Sequence, residues 1–214
     1  MLNSPLVEYF RFIRRDTGLR MPRMRAFVGH QARSLVIGVN GKWVYKFPLR
    51  RDNYRTLAQR EERIVNALRP YSDIEIPDIK LIQYKDILVR KYPYVRGVGL
   101  RNAPYDLIMK NLDTLAAQVA RFLYDIACAD PVDIRDLKPV PDAVPGYMCG
   151  WSQGDVCDNF MIDLDTMRVC AFIDWEDACF CDFSYMFNSE KKSPRREFMN
   201  AVRAEYDKIW HSQK

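Results

Sequence analysis

The stretch Ser152-Gln153-Gly154-Asp155-Val156-Cys157-Asp158-Asn159, followed by Ile173-Asp174-Trp175-Glu176, carries the densest chemical signal in the chain. It sets carboxylates and an amide in a short polar span, then a β-like run, then another carboxylate. Asp155 and Asp174 are 19 residues apart. A carboxylate within reach of a hydroxyl can orient it and take its proton. Mg2+ takes hard oxygen ligands, which Asn159 and Asp174 offer. A strand between them lets two residues distant in sequence converge. Together these are the parts of a phosphoryl-transfer loop.

Around that stretch the chain has room for one large domain or two small lobes, with 214 residues of which 48% are hydrophobic. No run of 18 apolar residues exists, so no membrane span is expected. Residues 1–15 are interrupted by Glu8, Arg11, Arg14 and Arg15, which suits an amphipathic helix and not a signal-peptide core. The net charge is +5, and Arg11, Arg14, Arg15, Arg20, Arg23, Arg25 and Arg33 contribute to it. No nucleic-acid motif accompanies these arginines, so they read as a solvated face and no nucleic-acid partner is expected. The six cysteines (128, 149, 157, 170, 179, 181) form no CxxC pair, and His30 and His211 lie far from them. Free thiols are expected, with Cys170, Cys179 and Cys181 as small core residues.

Upstream, Leu6, Tyr9, Phe10 and Ile13 recur at helical spacing until Gly18. Residues 26–47 read as three antiparallel strands with a hairpin turn at Asn40-Gly41. A turn at Gly29–Ser34 could cover phosphates with backbone N–H groups. Lys46 ends a Val-Tyr-Lys pattern on the third strand, and a helix over 53–68 presents Glu61 and Glu62 as partners. Glu61 is preferred because it shares the face of Ile64 and Leu68. A strand lysine paired to a helix glutamate grips nucleotide phosphates in protein kinases. Two short strands follow at 79–84 and 87–91, then an irregular aromatic connector at 92–97. Beyond it lie a helix at 112–129, a proline-rich loop at 131–145, a hairpin over 160–173 and a helix at 194–210.

On these residues the chain resembles the aminoglycoside phosphotransferase branch of the protein-kinase-like superfamily. Ser152-Gln153-Gly154-Asp155 resembles its His-Gly-Asp motif, and Phe172-Ile173-Asp174-Trp175-Glu176-Asp177-Ala178 is very close to its Ile-Asp-Trp-Glu-Asp-Ala segment. Cys181-Asp182-Phe183-Ser184-Tyr185 resembles Gly-Asp-Pro-x-Tyr, and Tyr94-Val95-Arg96-Gly97 resembles the hinge Tyr-Val-Glu-Gly. Arg60-Glu61 with Leu68, then Ile76-Pro77, resembles the glutamate helix and its exit. The matches run from about residue 27 to 187.

The resemblance implies an α+β, bilobal protein-kinase-like fold. Residues 1–92 would form an antiparallel β-sheet N-lobe with the N-terminal and glutamate helices, 93–97 the hinge, and 98–214 a truncated, mainly helical C-lobe. It implies ATP and Mg2+ as cofactors, Asp155 as catalytic residue, and Asn159 and Asp174 as metal ligands. Gly29, Ser34, Lys46, Glu61, Lys91, Tyr92 and Tyr94 would contact the nucleotide. Three features depart from the family pattern. Gln153 stands where the family has His, Asn159 follows Asp155 by four residues where the family has five, and the C-terminal helices that build an acidic pocket are shortened. Residues 187–214 hold seven basic residues (191, 192, 195, 196, 203, 208, 214) against four acidic ones, a poor receptor for a polycation. Ile134-Arg135-Asp136-Leu137-Lys138-Pro139 imitates a kinase catalytic loop, but Asp136 lies 38 residues before Asp174, about twice the distance required.

The expectation from sequence is an ATP-dependent serine/threonine protein kinase, active as a monomer. In size and plan the chain is similar to the HopBF-type effector kinases of plant-associated bacteria. That similarity implies a virulence effector secreted into the host cytoplasm and acting on a host protein such as the Hsp-90 chaperone; without secretion the location would be cytoplasmic. The alternatives are a small-molecule, aminoglycoside-type phosphotransferase and a nucleotide-binding pseudokinase.

Overall fold

The computed structural model describes residues 5–29, 33–50, 52–138, 149–156, 159–182 and 196–213. The chain divides into two compact units, Met1–Ala58 with Ile79–Tyr94, and Gln59–Asp78 with Val95–Lys214.

The first unit is an antiparallel sheet covered on one face by helix α1 (Pro5–Thr17). Its strands are β1 (Met24–Val28), β2 (Ser34–Val39), β3 (Trp43–Pro48), β4 (Lys80–Tyr84) and β5 (Ile87–Pro93), in the order β1-β2-β3-β5-β4. Side chains alternate between faces along each strand. Ile37, Val39, Tyr45, Phe47, Ile87 and Val89 therefore gather on one face, where Ile13 of α1 packs into them. Tyr9 stacks on Phe47 with ring centroids 4.1 Å apart. The expected turn at Asn40-Gly41 is present, with φ of 54° and 62°. That pair of left-handed values is what a twist-matched hairpin turn needs and what Asn-Gly supplies.

Asp16, near the end of α1, ties the helix to the sheet. It accepts hydrogen bonds from the Tyr45 hydroxyl and the Lys91 ammonium, the latter at 2.7 Å.

The second unit is built on α4 (Leu112–Cys128), whose Leu115, Val119, Phe122, Leu123 and Ile126 are buried. Against it pack the C-terminal helix α5 (Arg196–Ser212) and two small ladders. One ladder pairs β7 (Cys149–Ser152) with β10 (Cys179–Asp182). The other runs β6-β8-β9, with β6 at Val98–Gly99, β8 at Phe160–Asp163 and β9 at Arg168–Phe172. Phe122 stacks on Phe172 at 3.6 Å, which fixes the hairpin to the central helix. A short helix α3 (Tyr105–Lys110) precedes α4. Helix α2 (Tyr54–Leu68) begins in the first unit and continues in the second.

The structure differs from the sequence reading in three places. Tyr92 and Pro93 extend β5 where an irregular connector was expected, because the ladder continues to Trp43↔Pro93. Val98–Gly99 pairs with β8, and the β7–β10 ladder has too little alternation for a sequence pattern to reveal. Residues 132–137 form a 3-10 turn inside the span read as a loop. His30, Cys157, the prolines from 139 to 145, and residues 183–195 lie outside the described residues. Among the described residues no helix is long and apolar enough to cross a membrane.

Burial pushes the Asp16 carboxyl up, but hydrogen bonds from Lys91 and Tyr45 and the Lys91 charge outweigh it and hold it below its ordinary value of 3.8. A depressed carboxylate stabilises the fold above its unfolded pKa and loses that contribution as pH falls through the folded value. Asp16→Asn is expected to destabilise the protein by about 1–2 kcal/mol at neutral pH. In denaturant titrations that gap should stay constant down to about pH 5 and close by about pH 2.

Candidate functional site

In the first unit the face opposite α1 carries Lys46 and Arg90. Residues paired directly across an antiparallel ladder share a face. Lys46 pairs with Val36 on one side and Arg90 on the other, and Val44 pairs with Gly38 and Tyr92. Phe27 pairs with Val36, and Arg25 with Gly38. One sheet face thus carries two buried cations, Lys46 and Arg90, 5% and 4% exposed, beside apolar Val36, Val44 and Phe27. A groove of about 840 Å³ lies beside the β2–β3 turn, lined by Arg23, Arg25, Phe27, Gly38, Asn40 and Tyr94 and by neither Lys46 nor Arg90. Its volume is in the range that small-molecule and cofactor sites occupy. Gly29 donates its N–H to the Ser34 carbonyl at 2.8 Å, and Ser34 is buried. The tip of that turn, 30–32, lies outside the described residues.

Lys91 does not join this face. Tyr45 and Lys91 are ladder partners on the α1 face, where the ammonium meets Asp16 and lies 4.7 Å from the Trp43 ring centroid. The resemblance implied a nucleotide contact for Lys91 as for Tyr92; strand alternation puts these neighbours on opposite sides. Phe27, Val36, Val44 and Arg90 were missed in sequence, and the signal that finds them is their register with Lys46.

In the second unit the two ladders explain why Asp155 and Asp174 converge. The chain leaves β7 through 153–159 into β8, and leaves β9 through 173–178 into β10. Because β7 pairs with β10 and β8 with β9, both antiparallel, the end of β7 and the start of β8 both adjoin the 173–178 segment. Ile173 donates its N–H to the Asn159 carbonyl at 2.7 Å. Gly154, at φ 96°, comes so close to the second loop that a Cβ would sit 2.3 Å from the Asp177 carbonyl oxygen. Only glycine fits there.

Gln153 is the fastener. Its side-chain Nε2 donates to the carbonyls of Ile173 at 3.0 Å and Asp174 at 2.6 Å, and its Oε1 accepts the Asp155 N–H at 2.9 Å. The residue is fully buried. In sequence it was a departure from the family; in the structure its one amide holds both loops.

Asp174 has φ 56° and ψ 70°, left-handed for a residue with a side chain. Such a conformation is held only where its surroundings over-determine it. Gln153 grips its carbonyl, and the next N–H, of Trp175, donates to Glu61 Oε1 at 3.1 Å. The Trp175 indole N–H donates to the Phe172 carbonyl at 3.0 Å. Glu61 is 3% exposed on the inward face of α2 with Ile64 and Leu68, the face on which it was preferred over Glu62. Asp155 and Asp174 are both exposed, and Asn159 is half-buried between their loops. Two hard oxygen donors, from Asn159 and Asp174, suit Mg2+, which keeps most of its shell for water and phosphate. No cluster of three or more His, Cys, Asp or Glu side chains able to hold a metal occurs among the described residues.

Asp136, the sequence mimic of a catalytic aspartate, forms a two-point ion pair with Arg63 of α2, at 2.7 and 3.1 Å, and is 61% exposed.

Replacing Gln153 by the near-isosteric Leu leaves two carbonyls and one N–H without their partner. The expected loss is about 3 kcal/mol of stability. Thermal melting measures it.

No protein-family model matches the chain, and none of the curated proteins compared with it matches either. Solved structures do match. The GDP complex of wild-type aminoglycoside 2'-phosphotransferase-IIIa superposes with a TM-score of 0.75 at 20% identity, over 95% of this chain and 83% of that one. APH(2")-IIa, solved with streptomycin and ATP, gives 0.71 at 16% identity, over 97% and 85%. The macrolide 2'-phosphotransferase MphH from Brachybacterium faecium gives 0.65 at 16% identity, over 94% and 82%. The expected fold class is therefore the observed one: this chain has the protein-kinase-like α+β fold of the aminoglycoside and macrolide phosphotransferases.

Proposed function

We propose that the chain is a nucleotide-dependent phosphotransferase that moves the γ-phosphoryl group of ATP or GTP to a hydroxyl of a small molecule. The observation that carries this reading is the meeting of residues 153–156 with residues 173–178, fastened by Gln153, with an exposed carboxylate on each segment. The nucleotides named for the similar structures, GDP and ATP, support the donor. Their substrates, an aminoglycoside and a macrolide by name, support a small polyhydroxylated acceptor over a protein.

Placement within each unit supports the following roles. Phe27, Val36, Val44, Tyr92 and Tyr94 offer the apolar and aromatic surface for the base. Lys46 and Arg90 offer positive charge for the phosphates, with Gly29 and Ser34 at the root of the covering turn. Asn159 and Asp174 would hold Mg2+, which neutralises phosphate charge when bound. Asp155 accepts the proton of the acceptor hydroxyl as its oxygen bonds to the γ-phosphorus. The bond from the γ-phosphorus to the bridging oxygen breaks, and the nucleoside diphosphate leaves with that electron pair.

The basic tail that argued against a polycationic acceptor rests on Lys191, Lys192, Arg195 and Lys214, outside the described residues. Within α5, Arg196, Arg203 and Lys208 are balanced by Glu197, Glu205 and Asp207.

Labelled ATP and GTP, offered with a panel of aminoglycosides and macrolides, should yield a phosphorylated small molecule. Label appearing instead in a protein of a eukaryotic lysate, with Hsp-90 as first candidate, would replace this reading by the effector-kinase one. Nucleotide binding without transfer to either acceptor would make the chain a pseudokinase. Asp155→Asn should lower kcat by about 10²–10⁴-fold with the fold intact. Asp174→Gly should abolish transfer without lowering the melting temperature, since glycine adopts the left-handed backbone freely. Asp136→Ala should leave kcat unchanged.

A further inference from the structure

The β7–β10 ladder carries a feature that phosphoryl transfer does not use. Cys179 and Cys181 stand two residues apart on β10, so their side chains share one face. Their ladder partners are Ser152 and Gly150. Both thiols therefore lie on the face of the ladder that Ser152 and Gly150 share. The sequence suggested small core residues; both are partly exposed, and neither is in a disulfide. The pair lies where the two functional loops meet the ladder. Ser152 adjoins Gln153, and Cys179 follows the 173–178 loop directly.

One thiol is prepared for reaction. The hydrogen bond from Cys181 lowers Cys179 to about 7, Arg60 assists, and burial and Asp177 oppose. Cys181 is pushed up by that same bond, by burial and by the Cys179 charge. A thiolate beside a neutral thiol is the arrangement of an attacking and a resolving cysteine.

We propose that Cys179 and Cys181 form a peroxide-sensitive dithiol, whose closure to a disulfide distorts the ladder holding the catalytic and metal loops and so switches phosphotransfer off. The thiolate of Cys179 attacks one oxygen of hydrogen peroxide, and the O–O bond breaks. The departing hydroxide takes a proton from solvent, leaving the Cys179 sulfenic acid. The Cys181 sulfur then attacks the Cys179 sulfur, hydroxide leaves, and it takes the Cys181 proton. Two thiols and one peroxide become one disulfide and two waters. Alternate residues on an extended strand have Cα atoms about 6.6–6.8 Å apart. That is the upper limit for a disulfide, whose usual separation is about 5.5–6 Å. Closure therefore puckers β10 and pulls it from Gly150 and Ser152. Gly150 has no room to follow, since even a Cβ there would lie 2.5 Å from the Ala127 carbonyl oxygen of α4. The displacement passes instead to Ser152 and Gln153.

The chemical half of this proposal stands without the proposed function; the switching half rests on it. The full chain is treated with hydrogen peroxide, and intact mass and peptide mapping are followed beside phosphate transfer. The expected result is a loss of about 2 Da, mapped to a Cys179–Cys181 bond. Transfer should fall by about tenfold or more and return with dithiothreitol. Cys179→Ser and Cys181→Ser should each keep the reduced enzyme's activity and, unlike the unsubstituted chain, retain it in peroxide, so one variant suffices if the other fails to fold. Oxidation mapped to Cys128, Cys149, Cys157 or Cys170 with the pair still reduced overturns the dithiol. A mapped Cys179–Cys181 disulfide with unchanged transfer overturns the switch. A reduced protein that transfers no phosphate overturns the proposed function, and the mapping still decides the dithiol.

Discussion

The arrangement of the second unit depends on three hydrogen bonds from one buried amide. Gln153 donates twice and accepts once, which joins the backbone of Asp155 to that of Ile173 and Asp174. Neutral imidazole, the residue the family places here, has one donor and one acceptor. A primary amide has two donors and can hold two carbonyls of the second loop at once. It also does not titrate near neutrality, so the link between the loops is independent of pH. The left-handed backbone of Asp174 is tolerable because Gln153 holds its carbonyl while Glu61 holds the next N–H.

Topology does the rest of the positioning. Two short antiparallel ladders, nested in sequence, set the end of β7 and the start of β8 beside the 173–178 segment. Their attachment to α4 through Phe122 and Phe172 keeps that arrangement fixed. In the first unit the organising fact is the strand period of two. Lys46 and Lys91 lie on neighbouring strands, yet one is buried beside Arg90 on the face away from α1 and the other is paired with Asp16 under α1. A shift of one residue in register would exchange them.

The likeness to phosphotransferases survives at 15–20% identity, which has a physical reading. Cores accept many apolar substitutions provided volume and pattern are kept. The segments around Gln153 and Asp174 are more constrained, because their backbone groups bond to specific partners. Gln153 is a change within those segments, compatible because the amide makes the hydrogen bonds they need.

Much of this was legible in the residues alone. Helical and strand periodicity, the Asn-Gly turn, the inward face of Glu61 and the 19-residue interval between Asp155 and Asp174 are all local patterns, and local patterns follow from sequence. The β7–β10 pairing, the opposite faces of Lys46 and Lys91, the buried Arg90, the grip of Gln153 and the placement of Cys179 across from Ser152 were not. Each depends on which strand lies beside which and in what register. Four-residue strands carry too little pattern to announce their partners, so sequence determined the parts and their spacing. Only the tertiary pairing decided which side chains face one another, because that is settled by backbone hydrogen bonds between segments far apart in the chain.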